Sequence, residues 1–269
     1  MLLLLKLFLT PGLIIGLTLV ARRSGPRIAG WLGGLPISAG PIALFLAIEQ
    51  GATFAAQAAV TTIASIAATA LYCLVYARVA QRRAWPIAVL GAFVCWGGAV
   101  VVLHWLAGLA WFGLATAVVL TCGCVWISLR AYPTGAAGKS SQAPAGDLWL
   151  RIAATWAILF IVTFAAQTLG PSWTGLFTTF PVVSTILAIF AHRQITREGV
   201  HPQPAQVVSA LLRGIVLGIG STIGFFVALN LLLPRQSLFV SFGTAIAVAL
   251  ALQGLSWLWL NAGKRVAPA

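Results

Sequence analysis

Residues 53–77 read TFAAQAAVTTIASIAATALYCLVYA, an uncharged run with Glu49 a few residues before it and Arg78 directly after it. A helix crosses hydrocarbon with about 20 predominantly apolar residues, and this run is long enough to do so. Ala56, Ala59, Ala64, Ala67 and Ala68 make it rich in small side chains, which let a neighbouring backbone come close.

Working outward, comparable windows fall at 7–20, 31–48, 84–104, 109–129, 148–168, 172–191, 206–233 and 237–261. The expected fold is therefore all-α, a polytopic membrane protein with about nine transmembrane helices. Composition agrees: 61% of the 269 residues are hydrophobic and 7% charged, against about 45–50% and about 25% in soluble domains. The opening run resembles a signal peptide, but Lys6 interrupts it and Arg22-Arg23 follow it, so it is read as the first span. The 131–147 connection, rich in Gly, Ser, Ala and Pro, is read as a flexible loop.

A net charge of +13 would suggest nucleic acid in a soluble protein. Here the basic residues cluster at the ends of apolar runs, where they act as topology signals, and no nucleic acid is expected. With the N-terminus outside and the C-terminus cytoplasmic, all 16 Lys and Arg residues except Lys6 and Arg235 fall on the inner side. The expected location is the bacterial inner (plasma) membrane, with membrane lipids as partners and the cytoplasmic arginines on anionic headgroups. Cys73, Cys95, Cys122 and Cys124 lie in apolar runs and are read as small hydrophobes, and Cys122-Gly-Cys124 lacks redox or zinc spacing.

The chain also matches itself. Trp31-Leu-Gly33 answers Trp173-Thr-Gly175, Leu46-Ala-Ile48 answers Leu187-Ala-Ile189, and Ala56-Gln57 answers Ala205-Gln206. Helices one to four then match six to nine. An offset of five helices makes the second copy enter the membrane from the opposite side, so the copies are expected to be inverted repeats. The expected organisation is a first four-helix repeat at 1–105, a connecting helix at 106–130, a loop at 131–147 and a second, inverted repeat at 148–269.

From about Leu148 to Lys264 the second copy resembles the GlpM-type (YdgC-like) small bacterial inner-membrane proteins. The resemblance is carried by Gly175-Leu-Phe177, Phe180-Pro181, Ile189-Phe-Ala-His192-Arg193 and Glu198-Gly199. The first copy is similar through Arg27-Ile-Ala-Gly30 and Gly91-Ala-Phe-Val-Cys95-Trp96-Gly97. It departs at Leu35-Pro36, and it has Glu49-Gln50 near where the second copy has His192. Single-copy members are four-helix proteins expected to pair as antiparallel dimers, so the resemblance implies two fused units and brings no settled activity. A fused pair has satisfied its own two-fold, which makes a monomer or a homodimer the expected state.

The second helix holds Gly33, Gly34, Pro36, Gly40 and Pro41 and is expected to break; the seventh holds Gly175 and Pro181 at related heights. Freed backbone at membrane depth is tolerated only in protein or beside a water-filled cavity, so the two breaks are the candidate pathway. Its candidate residues are Pro41, Pro181, Thr178, Thr179 and Ser184, with Glu49, Gln50 and Gln57 as a polar strip near the outer end of the second helix. His192, at the cytoplasmic end of the seventh helix, is read first as a solvated interface histidine. Gly214, Gly218, Gly220 and Gly224 are assigned to packing of the eighth helix on the third.

Gly135-Ala-Ala-Gly138-Lys139-Ser140 is rejected as a phosphate loop because Pro133 replaces its first glycine. No metalloprotease helix or nucleophile elbow occurs, so neither enzyme activity, nor a metal, nor a cofactor is expected. The expected function is a transporter or channel for a small ion or polar metabolite. The alternative is a non-transporting scaffold or accessory protein in envelope or polysaccharide assembly, whose helices would pack dry throughout.

Overall fold

The computed structural model describes residues 26–37, 39–132, 170–181, 184–189, 191–192 and 204–262, with positions 12, 16 and 153. The spans expected at 7–20 and 148–168, and the loop beyond residue 132, lie outside the described residues. So do Lys6, Arg22, Arg23, Lys139, Arg151, Arg193, Arg197, Lys264 and Arg265.

Among the described residues the structure is helical, without strands. The elements are α1 (Pro26–Gly33), α2 (Ala39–Glu49), α3 (Ala52–Val79), α4 (Trp85–Ala107) and α5 (Leu114–Ala131). Two short helical pieces follow, α6 (170–178) and α7 (184–189), and then α8 (Pro204–Leu232) and α9 (Leu238–Ala262). Five of these, α3, α4, α5, α8 and α9, are long and apolar enough to cross a membrane.

The window expected at 31–48 is two helices, as its Gly and Pro residues require. Gly34 to Ile37 turn between α1 and α2. Pro41 does not make this break. It lies in the first turn of α2, where a missing N–H costs no helical hydrogen bond, and Pro36 lies in the break itself. The α2–α3 turn is tight because Gly51 adopts φ 93°, a left-handed conformation that side chains resist. The window expected from residue 109 starts as a helix only at Leu114, since Gly108 and Gly113 bracket a turn.

Burial identifies the centre. Of the most apolar stretch of each long helix, 78% is buried in α3 and 56% in α8, but only 17% in α5. Large apolar side chains such as Val94, Trp105 and Phe239 point outward, as suits a lipid-facing ring around a helical core. An aromatic cluster seats α4 on the α6–α7 region: Phe93 stacks on Phe180 at 5.3 Å and Trp96 meets the same ring edge-on at 4.9 Å. On the other flank Trp31 packs on Trp257 at 5.0 Å and donates through Nε1 to Ser256 Oγ at 2.8 Å, tying α1 to α9.

Contacts fix the helix directions. Asn230, near the end of α8, donates to the Ala56 carbonyl near the start of α3 at 2.8 Å, so α3 and α8 run antiparallel. Gly175, Thr179 and Thr185 meet α3 at Ala58, Ser65 and Tyr72 in turn, so α6 and α7 run parallel to α3. Gly30, Gly34 and Gly40 meet α8 at Leu211, Gly218 and Phe225, so α1 and α2 run parallel to α8.

Candidate functional site

Glycines bring each broken helix against its long partner. A methyl group at Gly30 would overlap the Leu211 carbonyl, and one at Gly34 or Gly218 would overlap the backbone facing it. On the other side a methyl at Gly175 would overlap the Ala58 carbonyl and the Thr61 hydroxyl. Gly214 and Gly218 thus serve the contact of α8 with α1, a correction to their assignment against the third helix. Gly220 is exposed with nothing within 4 Å of its missing side chain among the described residues, while Gly224 faces Leu252 of α9.

Where the close contacts end, both helices open. The α1–α2 break and the α6–α7 break border one cavity of about 60 Å³, room for a few waters. Gly34, Leu35, Pro36 and Ala39 line it from one break, and Thr179, Phe180, Pro181 and Ser184 line it from the other, in the same order and spacing. The long helices contribute Ile66 and Thr69 from α3, and Ile219 and Thr222 from α8, again with matching spacing. These positions lie near the middles of α3 and α8.

Hydrogen bonds repeat the match. Thr69 Oγ1 donates to the Thr179 carbonyl at 2.9 Å, and Thr222 Oγ1 donates to the Gly34 carbonyl at 2.6 Å. Each carbonyl lies where its helix stops. Beyond the breaks, Gly40 N–H donates to the Pro36 carbonyl at 2.8 Å and Thr185 N–H to the Pro181 carbonyl at 2.9 Å. Ser65 adds a hydroxyl pair with Thr179 at 2.5 Å. Ends and starts of four short helices therefore meet at one place, giving it both carbonyl and N-terminal dipole character without a formal charge among its described lining.

Of the candidate residues, the structure brings Thr179, Pro181 and Ser184 to this cavity. Thr178 is buried but donates to Thr174 within its own helix at 2.7 Å, the back-bonding that threonine uses when its hydroxyl faces apolar surroundings. Pro41 is buried away from the lining. Glu49, Gln50 and Gln57 are exposed around the α2–α3 turn and do not join the cavity, because the turn sits at the end of α3 and the cavity at its middle. His192 is 7% exposed and lies edge-on to Tyr76 at 6.5 Å, which overturns the solvated reading. The four cysteines are free thiols.

Thr69, Thr222, Ser65 and Pro36 belong to the site. Pro36 is marked in the sequence as one of the breakers of the second helix. The signal for the threonines was present as Ile66-x-x-Thr69 and Ile219-x-x-Thr222, a repeat of the same polar position on two long helices. The chain matches no protein-family model, no curated protein and no solved structure.

Proposed function

We propose that the protein is a transporter or channel for a small ion or polar metabolite, and that the cavity between its two helix breaks lies on the solute's path. The single observation that carries this is the cavity at the middle of the two most buried long helices, where the hydroxyl-bearing Thr69, Thr179, Ser184 and Thr222 interrupt a mostly apolar wall. Broken backbone at that depth is tolerated in protein or beside a water-filled cavity, and the space between the two breaks favours the second. The scaffold alternative predicts a dry, continuous core there.

The architecture we infer is a pair of inverted repeats within about nine spans. Support comes from paired contacts: α1–α2 on α8 repeat α6–α7 on α3 position for position, and α3 runs against α8. Two fused GlpM-type units related by an axis in the membrane plane would produce this pattern. Basic side chains support the inner-membrane orientation: Arg78, Arg82 and Arg83 cluster at the end of α3, Arg78 reaches the Ala131 carbonyl at the end of α5, and Arg235 lies at the opposite end.

Purified protein reconstituted in vesicles and screened for flux of small anions, cations and neutral polar solutes tests the function. Flux of at least one class above protein-free vesicles is expected. Protein-free rates for every class reject it.

A further inference from the structure

The two halves of the site match in backbone but not in side-chain chemistry beyond the cavity. Following α3 toward Arg78, the residues after Thr69 are Tyr72, Cys73 and Tyr76; following α8 in the same steps after Thr222, they are Phe225, Phe226 and Leu229. All six side chains are buried. Their partners differ in the same sense. Tyr72 shares a hydrogen bond with Thr185 at 2.7 Å, whereas Phe225 faces Gly40, where a methyl would lie 3.6 Å from its ring.

The first half is a line of polar atoms. Ser184 at the cavity interacts with the Cys73 thiol, Thr185 follows on Tyr72, and Tyr76 lies against His192. The Tyr76 hydroxyl, 0% exposed, and the Tyr132 hydroxyl, 5% exposed, have no hydrogen-bond partner among the described residues. Tyr132 is within electrostatic reach of both Cys73 and Arg213. A buried hydroxyl left unpaired costs about 1–3 kcal/mol, so two on one line mark where packing has to loosen for a polar partner to enter. At the matching positions the other half has aromatic packing instead: Phe225 meets Phe226 at 5.2 Å and Phe242 at 6.1 Å, both edge-on; its hydroxyls on Thr61, Thr62, Thr174 and Thr178 are bonded within their own helices, and Asn230 is bonded to the Ala56 carbonyl.

We infer that water and the solute reach the cavity from the arginine-bearing end alone, along Ser184, Cys73, Tyr72, Thr185 and Tyr76, while Phe225, Phe226 and Leu229 close the opposite half. The inference rests on the conduit proposed above and adds its open side and its gate. For alternating access, the apolar half is the part that must move for the solute to leave.

Single-cysteine chains test it, made with the other thiols replaced by serine and checked for monodispersity in detergent. Ser184→Cys and Thr185→Cys are compared with Gly40→Cys and Leu229→Cys, using a membrane-impermeant methanethiosulfonate added to right-side-out or inside-out vesicles. Labelling of the first pair from the Arg82–Arg83 face only, and of neither member of the second pair from either face, is expected. Labelling of both pairs, of neither pair, or of the first pair from the opposite face overturns the inference. If the substituted chains are not monodisperse, Cys73 of the unaltered chain serves instead, and its modification from the arginine face, or its failure to react there, decides in the same way. The flux screen separates this from the conduit itself: one-sided labelling without flux of any solute removes the transport function and leaves the water path, and flux with two-sided labelling removes only the closed half.

Discussion

The hydroxyl of Thr69 donates to the carbonyl of Thr179 at 2.9 Å, joining the middle of a continuous helix to the point where a broken one stops. Thr222 and Gly34 repeat the bond on the other side. At each of two helix ends a threonine from the neighbouring long helix satisfies a terminal carbonyl.

Thr69→Val keeps the shape of the side chain and deletes the donor. Each of Thr69→Val and Thr222→Val is expected to destabilise the protein by about 1 kcal/mol, the net worth of a typical buried hydrogen bond. Unfolding titrations in mixed micelles measure this. A change near zero for both would show that the breaks are held by packing alone.

Glycine positions separate by what faces them. Gly30→Ala and Gly175→Ala push a methyl into a partner's backbone and are expected to cost about 1–3 kcal/mol. Gly220→Ala faces outward and should be neutral or stabilise by up to about 1 kcal/mol through helix propensity. Thermal midpoints of the purified variants rank them, and equal midpoints would contradict the close approach of α1 to α8.

Glu49→Gln and Gln57→Ala alter exposed groups at one end of α3 and are expected to leave flux in vesicles unchanged. Thr179→Val and Ser184→Ala alter the cavity wall and are expected to change its rate or selectivity. The reverse pattern would move the site to the α2–α3 turn.

Antiparallel α3 and α8 fix which loops share a face. Cysteines replacing Gln50 and Arg235 are expected to react from one side of the membrane, and those replacing Arg83 and Arg130 from the other. Impermeant labelling of oriented vesicles checks this, and any member reacting on the wrong face would break the inverted arrangement.

Much of the architecture was legible because hydrocarbon imposes a simple rule of length and charge. The windows drawn around 53–77, 84–104, 206–233 and 237–261 coincide with α3, α4, α8 and α9 to within a few residues. The Gly and Pro content of 31–48 marked a real break. The contacts place Gly30 and Gly175, and Gly34 and Thr179, in like surroundings, whereas the sequence match sets Trp31-x-Gly33 against Trp173-x-Gly175, about one helical turn away. Residues one turn apart share a helix face, so small and apolar positions match almost as well after a slip of a turn, and only three-dimensional contacts remove the ambiguity. Charge does not mark the cavity. Glu49 is an ionisable group beside a span, yet the polar groups at the cavity are the hydroxyls of Thr69, Thr179, Ser184 and Thr222 in a mostly apolar wall, and their significance depends on which helix end they face. His192 looked solvated because arginine follows it, and Tyr76 on another helix buries it.

Filling the cavity tests the proposed pathway most directly. Flux through vesicles bearing the unaltered protein is compared with Ser184→Leu, which places bulk between the two breaks, and with Gly220→Leu, which places the same bulk on the outer surface. Flux abolished by Ser184→Leu and retained by Gly220→Leu is the expected result. Equal flux through both variants would show that the solute, if one is carried, does not pass between the broken helices.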